Sequence, residues 1–457
     1  MHPVWKDSLS ATTNVRKSSD LIPAETHTRI GCRREDLEHR RLHVLVLDEE
    51  LPYPPDSGKR IRTWNLLRRL AQRHQISLLC YGSPDDPSAA ILEKAGIRVH
   101  LVAPPASIRG SHLYLRLLAN LFSRYPYSVD KHFSKEFQRR VHAFLAMERI
   151  DLVHCEWTPY SRFVSGLKKH PVLVTSHNVE SQIWFRRAKQ SRGIVQRLFF
   201  YLQAIKMERF ERRALQRAQV VTAVSAEDAR VMRSWNVQSV RLVENGVDLE
   251  YFQPHAQTGD APELLFLGSL DWFPNIDALD FMLKRIMPIV QFYQPSVRLR
   301  IVGRRPSRAL VTRIAKLPWA ELICDVSDVR PYLAHASVVV VPLRIGGGSR
   351  IKILEALASG KALVSTSVGA EGLKVANGQD IGIADEPAEF AQRVLELLAS
   401  PDRRKRLGAG GRELAERRYD WQEIAKSLES AWFLACFPTP TGDDVRGRSV
   451  EPEKELV

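Results

Sequence analysis

The chain has 457 residues, 44% of them apolar, and a formal net charge of +15, which is enough for two or three domains that each bury a core. No apolar run approaches the roughly 20 residues that span a bilayer. The five cysteines (Cys32, Cys80, Cys155, Cys324, Cys436) form no CxxC pair, which excludes a disulfide framework or zinc site and points to a reduced, cytoplasmic compartment.

The first 40 residues mix charges of both signs without an apolar h-region and read as a disordered tail, not a secretory signal. From Leu42 onward, short β-branched runs alternate with helical segments, the pattern of parallel α/β sheets. Strands are predicted at Leu42–Leu47, Ile76–Tyr81, Val99–Val102, Leu152–Cys155, Val172–Ser176, Val220–Val224 and Val240–Val243. The loop Pro54–Lys59 follows the first strand and opens a predicted helix over Lys59–Arg73, and His177-Asn178 follows the fifth strand. Between Arg186 and Arg217 ten Lys and Arg stand against Glu208 and Glu211, interleaved with an apolar series from Ile194 to Phe210. This is predicted as one long basic amphipathic helix, suited either to packing on a sheet or to lying on an anionic membrane surface. The aromatic and basic stretch Arg109–Tyr125 adds weight to the membrane alternative. No DNA- or RNA-reading motif is present, so no nucleic-acid partner is expected.

The polar stretch Gln253–Pro262, after Asn245-Gly246-Val247-Asp248, marks a domain break. A second series of strands is predicted at Leu264–Leu267, Val297–Val302, Leu322–Cys324, Val338–Val341 and Ala362–Ser365, with a weaker one at Ile381–Ala384. Two doubly wound sheets facing across a cleft are expected, with ligands beyond the carboxyl ends of their strands. Gly268, Gly303-Arg304 and the loop starting at Gly346 all stand at such ends.

The segment Ser337–Gly372 carries the most chemistry. Gly346-Gly347-Gly348 follows a buried strand and lets backbone approach a ligand with no Cβ in the way. Ser349 is then a plausible N-cap, so free N–H groups point at the loop and favour an anion there. At 100° per residue Ser349, Lys352 and Glu355 share one face of the next helix. Lys352 can neutralise a diphosphate, Arg350 can fork onto its oxygens, and Glu355 can accept from a pair of sugar hydroxyls. A lone KxxE is more often an ordinary i,i+3 pair on a solvated face; the three glycines between strand and helix favour a nucleotide-sugar site.

These features resemble retaining glycosyltransferases of family 4, with the GT-B architecture of two Rossmann-like domains. The likeness is carried by Asn245–Asp248, Phe266–Leu270 with Pro274-Asn275, Val302–Arg304 and Gly346–Glu355 continuing to Ala370–Gly372, and it spans about Leu42 to Phe433. It implies a tail at 1–40, an acceptor domain at 41–252, a donor domain at 253–418, a helix at 419–436 crossing back to the first domain, and a tail at 437–457. It assigns Glu355 to the donor ribose as the second glutamate of the EX7E pair. Arg350 and Lys352 then hold the diphosphate, and Gly58 adds backbone N–H groups. Gly268 and Arg304 complete the donor side. His177 resembles the histidine that contacts the donor sugar near the reacting carbon.

The first EX7E glutamate is replaced by Gly347, so contacts to the donor sugar fall to backbone N–H groups of Gly347, Gly348 and Ser349, or are lost. No cofactor or metal ion is expected. The implied partners are a nucleotide-sugar and a saccharide or lipid-linked saccharide, as in bacterial exopolysaccharide or cell-envelope assembly, on the inner face of the cytoplasmic membrane. Two alternatives stay open: a nucleotide-sugar epimerase, and a catalytically impaired homologue acting as a membrane-associated assembly protein.

Overall fold

The computed structural model describes residues 40–105, 111–191, 193–255, 262–345 and 350–438. The expected tails lie almost wholly outside these residues, as do Gly346–Ser349. The first sheet has the order β3-β2-β1-β4-β5-β6-β7, from β1 (His43–Leu47), β2 (Gln75–Tyr81), β3 (Ile97–Val102), β4 (Leu152–Cys155), β5 (Val172–Ser176), β6 (Val220–Ala223) and β7 (Val240–Leu242). The second has the order β10-β9-β8-β11-β12-β13, from β8 (Glu263–Ser269), β9 (Arg298–Arg304), β10 (Ala320–Cys324), β11 (Val338–Val341), β12 (Leu363–Ser365) and β13 (Gly382–Ile383). Every pairing is parallel, and each strand overlaps one predicted from the sequence.

The central strands are buried along almost their whole length and are largely apolar because helices cover both faces of each sheet. In β1, Val44 and Val46 enter one core while Leu45 and Leu47 enter the core on the opposite face, the period of two expected of a strand. The first of these cores is closed by the helix Gly58–Leu70 through Leu66 and Leu67, and by the last helix, Trp421–Cys436, through Trp421, Leu428 and Trp432. The chain's final helix thus crosses back onto the first sheet.

Val243 belongs to the first domain's core, whereas Val247 and Phe252 already belong to the second's. The crossing therefore lies at Glu244–Gly246, ahead of the break expected at 252–253. There the chain runs beside its own return path: Val247 N–H donates to Tyr419 O at 2.7 Å. Gly246 is required at this point, since a Cβ would sit 2.8 Å from both the Trp421 ring and Tyr419 O. Asp248 is held by Arg68 at 2.6 Å.

The basic segment 186–217 is not one helix. Helix Glu180–Gln190 ends at Ser191 and helix Ile194–Arg217 begins after Gly193; a glycine disfavours helix interior, and the chain turns back on itself there. Glu211 of the second helix accepts from Glu180 N–H at 2.7 Å and Ser181 N–H at 3.0 Å, so a carboxylate caps the first helix's positive end. The helix predicted at Lys59–Arg73 spans Gly58–Leu70, with Ser57 accepting from Arg60 N–H at its start.

Candidate active site

Strand order reverses between β1 and β4 in the first sheet and between β8 and β11 in the second. These are the points where a parallel sheet opens a crevice at its carboxyl edge, and the candidate residues gather at both.

At the second switch point, helix Ile351–Ala358 follows β11 and carries Lys352 and Glu355 on its half-buried face. Lys352 Nζ donates to Asn275 Oδ1 at 2.7 Å, and Asn275 Nδ2 donates to Ser269 O at 2.9 Å, so the loop after β8 fixes the ammonium. Gly268 permits this, because a Cβ there would stand 3.0 Å from Lys352 Nζ and from the Asn275 amide. Burial, reinforced by Arg350 and opposed by Glu355, lowers the Lys352 pKa to about 8. Burial, opposed by Lys352, raises that of Glu355 to about 8. A group taken from water and given a compact anion to face is poised to bind it.

Arg350 is placed differently from expectation. It occupies the cap position of the helix in the left-handed conformation, with φ of 53°, where Ser349 was expected to cap. Its guanidinium donates to Val368 O at 2.9 Å, Glu371 O at 3.2 Å and Glu371 Oε2 at 3.3 Å. These contacts tie it to the segment after β12. Gly347, Gly348 and Ser349 lie outside the described residues.

Arg304, at the end of β9, forms an ion pair with Asp56 of the loop before Gly58. The two residues belong to different domains, so the pair joins the rims of the cleft. Gly58 is the first residue of its helix, and its loop faces the second domain through that pair.

His177 follows β5. Its Nε2 lies 2.6 Å from the carbonyl oxygen of Glu156. A carbonyl only accepts, so the ring proton sits on Nε2 and Nδ1 is left as an acceptor. Burial, with Arg62 and Lys59 adding to it, holds the His177 pKa well below its ordinary value, and the ring is neutral. The Glu156 carboxylate beneath it accepts from Thr63 Oγ1 at 3.2 Å and lies 3.1 Å from His154 Nε2. Trp432 Nε1 donates to His154 Nδ1 at 3.3 Å. A buried polar chain thus links the returning helix to His177. Burial, opposed by Arg62, raises the Glu156 pKa to about 7.

A further group at the first switch point was not singled out from the sequence. Lys59 Nζ pairs with Asp48 and with Glu49 Oε1, the latter at 2.9 Å, and stands 5.5 Å from the Trp157 ring. Trp157 Nε1 donates to Glu180 at 3.0 Å, and the His132 ring packs edge-on against Trp157 at 5.1 Å. Burial opposes the Lys59 charge, but the two carboxylates outweigh it and the pKa is raised. Carboxylates beside an indole suit sugar hydroxyls above a sugar face. The sequence signal was available: the acidic run Asp48-Glu49-Glu50 closes β1, and Glu156-Trp157 closes β4.

Between the domains lies a cavity of about 280 Å³, bordered by Asn178, Gln182, Arg186, Asn245, Arg350 and Glu371. Arg350 and the neighbour of His177 therefore face one space. Lys352, Gly268 and Asn275 form a second cluster, separate from the residues that border this cavity.

Residues 57–246 match the family profile described as "Glycosyl transferase 4-like domain", and residues 261–400 match "Glycosyl transferases group 1". A protein of the Klebsiella pneumoniae cps region, described as an uncharacterized 44.6 kDa protein, is 20% identical over 403 residues, covering 84% of this chain and 98% of its own. Sucrose-phosphate synthase from Thermosynechococcus elongatus superposes with a TM-score of 0.66 at 19% identity, covering 86% of this chain and 98% of its own. Anabaena Alr3699/HepE, solved with UDP and glucose, gives 0.62 at 14%, covering 85% and 99%. The first profile ends at residue 246 and the second begins at residue 261, one on each side of the passage between the two sheets. The chain belongs to the group 1 glycosyltransferases, transferase enzymes with the GT-B fold.

Proposed function

We propose that the chain is a retaining hexosyltransferase, moving a sugar from a nucleotide-sugar to a saccharide or lipid-linked saccharide acceptor in bacterial polysaccharide or cell-envelope biosynthesis. It works in the cytoplasm, on the inner face of the cytoplasmic membrane. The observation that carries the reading is the Lys352–Asn275–Gly268 cluster with Glu355 on the same helix. It offers a held cation for a diphosphate and a carboxyl group one turn deeper for ribose hydroxyls. The cps-region relative supports the polysaccharide setting, and HepE's capture with UDP and glucose supports trying UDP-sugars first.

In this reading the bond between the anomeric carbon and the diphosphate oxygen breaks as the acceptor hydroxyl approaches from the same face. The acceptor's proton passes to the departing oxygen. Lys352 and nearby backbone N–H groups stabilise the charge that grows on the β-phosphate, each worth on the order of 3 kcal/mol in such positions. His177, neutral with Nδ1 as acceptor, orients a hydroxyl of the donor sugar. Trp157, Glu49 and Glu180 receive the acceptor. The test is incubation with UDP-, GDP- and ADP-sugars and a lipid-linked saccharide, with the product's anomeric configuration read by NMR. Transfer with retention supports the proposal, inversion refutes the retaining mechanism, and interconversion of donor without transfer supports an epimerase instead.

A further inference from the structure

The first switch point holds an aromatic ring set among carboxyl groups. Trp157 is half-buried there, and so are Glu49, Lys59, His132 and Glu180 around it. Among the described residues the nearby cations are already held. Lys59 stands between Asp48 and Glu49, Arg60 pairs with Glu50 and Asp56, Arg304 pairs with Asp56 from the other domain, and Arg162 pairs with Asp130 at 2.6 Å. Burial, reinforced by Lys131 and Lys59 and opposed by Glu49, lowers the His132 pKa to about 4, so this ring is neutral. Lys131 itself is exposed, where solvent and salt screen it.

Hydrogen-bond acceptors are in excess at the same place. Glu180 accepts from the Trp157 indole N–H at 3.0 Å and not from a cation. Two hydroxyls on the turn after Trp157 are unanswered as well: Thr158 and Tyr160 are fully buried, yet Thr158 Oγ1 and the Tyr160 hydroxyl have no hydrogen-bond partner among the described residues. Such atoms are rare in folded chains, because each forgoes the bonds it made with water. Burial, with Glu49 and Asp48 adding to it, raises the Tyr160 pKa, so its hydroxyl lies within reach of that carboxylate pair.

We infer that this site receives an uncharged sugar residue and turns away one that carries a carboxylate or a phosphate. Trp157 offers its ring to the apolar face of the sugar, while Glu49 and Glu180 accept from its hydroxyls. An anionic residue would meet both carboxyl groups with Lys59 already engaged, and like charges in a half-buried site oppose binding. The inference rests on the proposed transfer and narrows its acceptor. On a lipid-linked acceptor, a sugar joined directly to a lipid phosphate would bring that phosphate against the carboxylates, so the receiving sugar is one farther out. The chain thus extends a saccharide, and a different transferase must have joined the first sugar to the lipid.

Saturation-transfer NMR on the full chain tests this with methyl glycosides of glucose, galactose and mannose, beside the matching uronates and 6-phosphates. Wild type, Trp157→Ala, Glu49→Gln and Glu180→Gln are compared, and the thermal response of each to UDP, GDP and ADP is recorded. At least one neutral glycoside is expected to bind the wild type and to lose roughly tenfold in Trp157→Ala. Its uronate and 6-phosphate bind roughly tenfold more weakly than the neutral form, and that gap narrows in each carboxamide variant. The two carboxamide variants are separate, so a folding defect in one leaves the other to report. Anionic forms bound as well as the neutral one, neutral binding indifferent to Trp157→Ala, or no glycoside bound at all overturns the inference. A retained nucleotide response beside any of these leaves the donor site standing. The expected neutral preference with no nucleotide response in any of the four proteins instead refutes the transfer reading and leaves the sugar site.

Discussion

Lys352 Nζ stands 2.7 Å from Asn275 Oδ1, so the cation at the start of one helix is held by the loop that follows a different strand. Both loops rise from the two strands that flank the sheet's switch point, β8 and β11. Removing the amide with Asn275→Ala is expected to weaken binding of the nucleoside diphosphate about tenfold, the worth of a hydrogen bond to a charged group. Lys352→Ala and Glu355→Ala abolish it. Isothermal titration with the responding nucleotide measures all three.

Gly268 leaves room for that contact. In Gly268→Ala the new methyl meets Lys352 Nζ and the Asn275 amide at 3.0 Å, and both must give way. Nucleotide affinity falls several-fold while the melting temperature stays close to wild type, because the strand itself is unchanged. A large loss of stability without loss of affinity contradicts this role.

Affinity also depends on pH through Lys352. Because its pKa is lowered to about 8, the ammonium loses its proton as pH rises through that value and diphosphate affinity declines. Lys352→Arg, charged throughout, moves the decline to higher pH even if its overall affinity differs. Titrations across neutral and alkaline buffers compare the two curves.

Glu156 gives a stability signature of opposite origin. Its folded pKa is raised from 4.5 to about 7, so between those values the folded chain binds more protons than the unfolded one, and this residue's contribution falls as pH rises. Glu156→Gln removes the dependence and gains stability relative to wild type across that interval. Denaturant melts at several pH values give the difference. His177→Ala, above it, lowers kcat about 100-fold by releasing the donor sugar from its aligned pose, with nucleotide affinity unchanged.

The returning helix is anchored by Trp421, fully buried against Gly246 in the core that the helix shares with the first sheet. Trp421→Ala costs about 3–5 kcal/mol, visible as a lowered midpoint in chemical denaturation.

The strands were legible because burial on both faces leaves continuous β-branched runs such as Val338–Val341. Lys352 and Glu355 were legible because helical spacing fixes their shared face. Arg350 was not: whether a guanidinium points to a ligand or back to Glu371 depends on a left-handed cap and on a loop 21 residues away. Asp56–Arg304 and His177–Glu156 were hidden for the same reason, since each joins strand ends that only the topology brings together. The long basic helix was not legible as two, because charge and hydropathy continue past Gln190, where one helix ends, to Ile194, where the next begins.

The most direct measurement is the thermal response of the wild type and Glu355→Ala to UDP, GDP, ADP and their sugar conjugates. A ligand at a hundred times its dissociation constant adds about 2.7 kcal/mol. One nucleotide is expected to raise the wild-type melting temperature and leave Glu355→Ala unmoved. Stabilisation of both proteins alike, or of neither, would contradict a donor site built around Lys352 and Glu355.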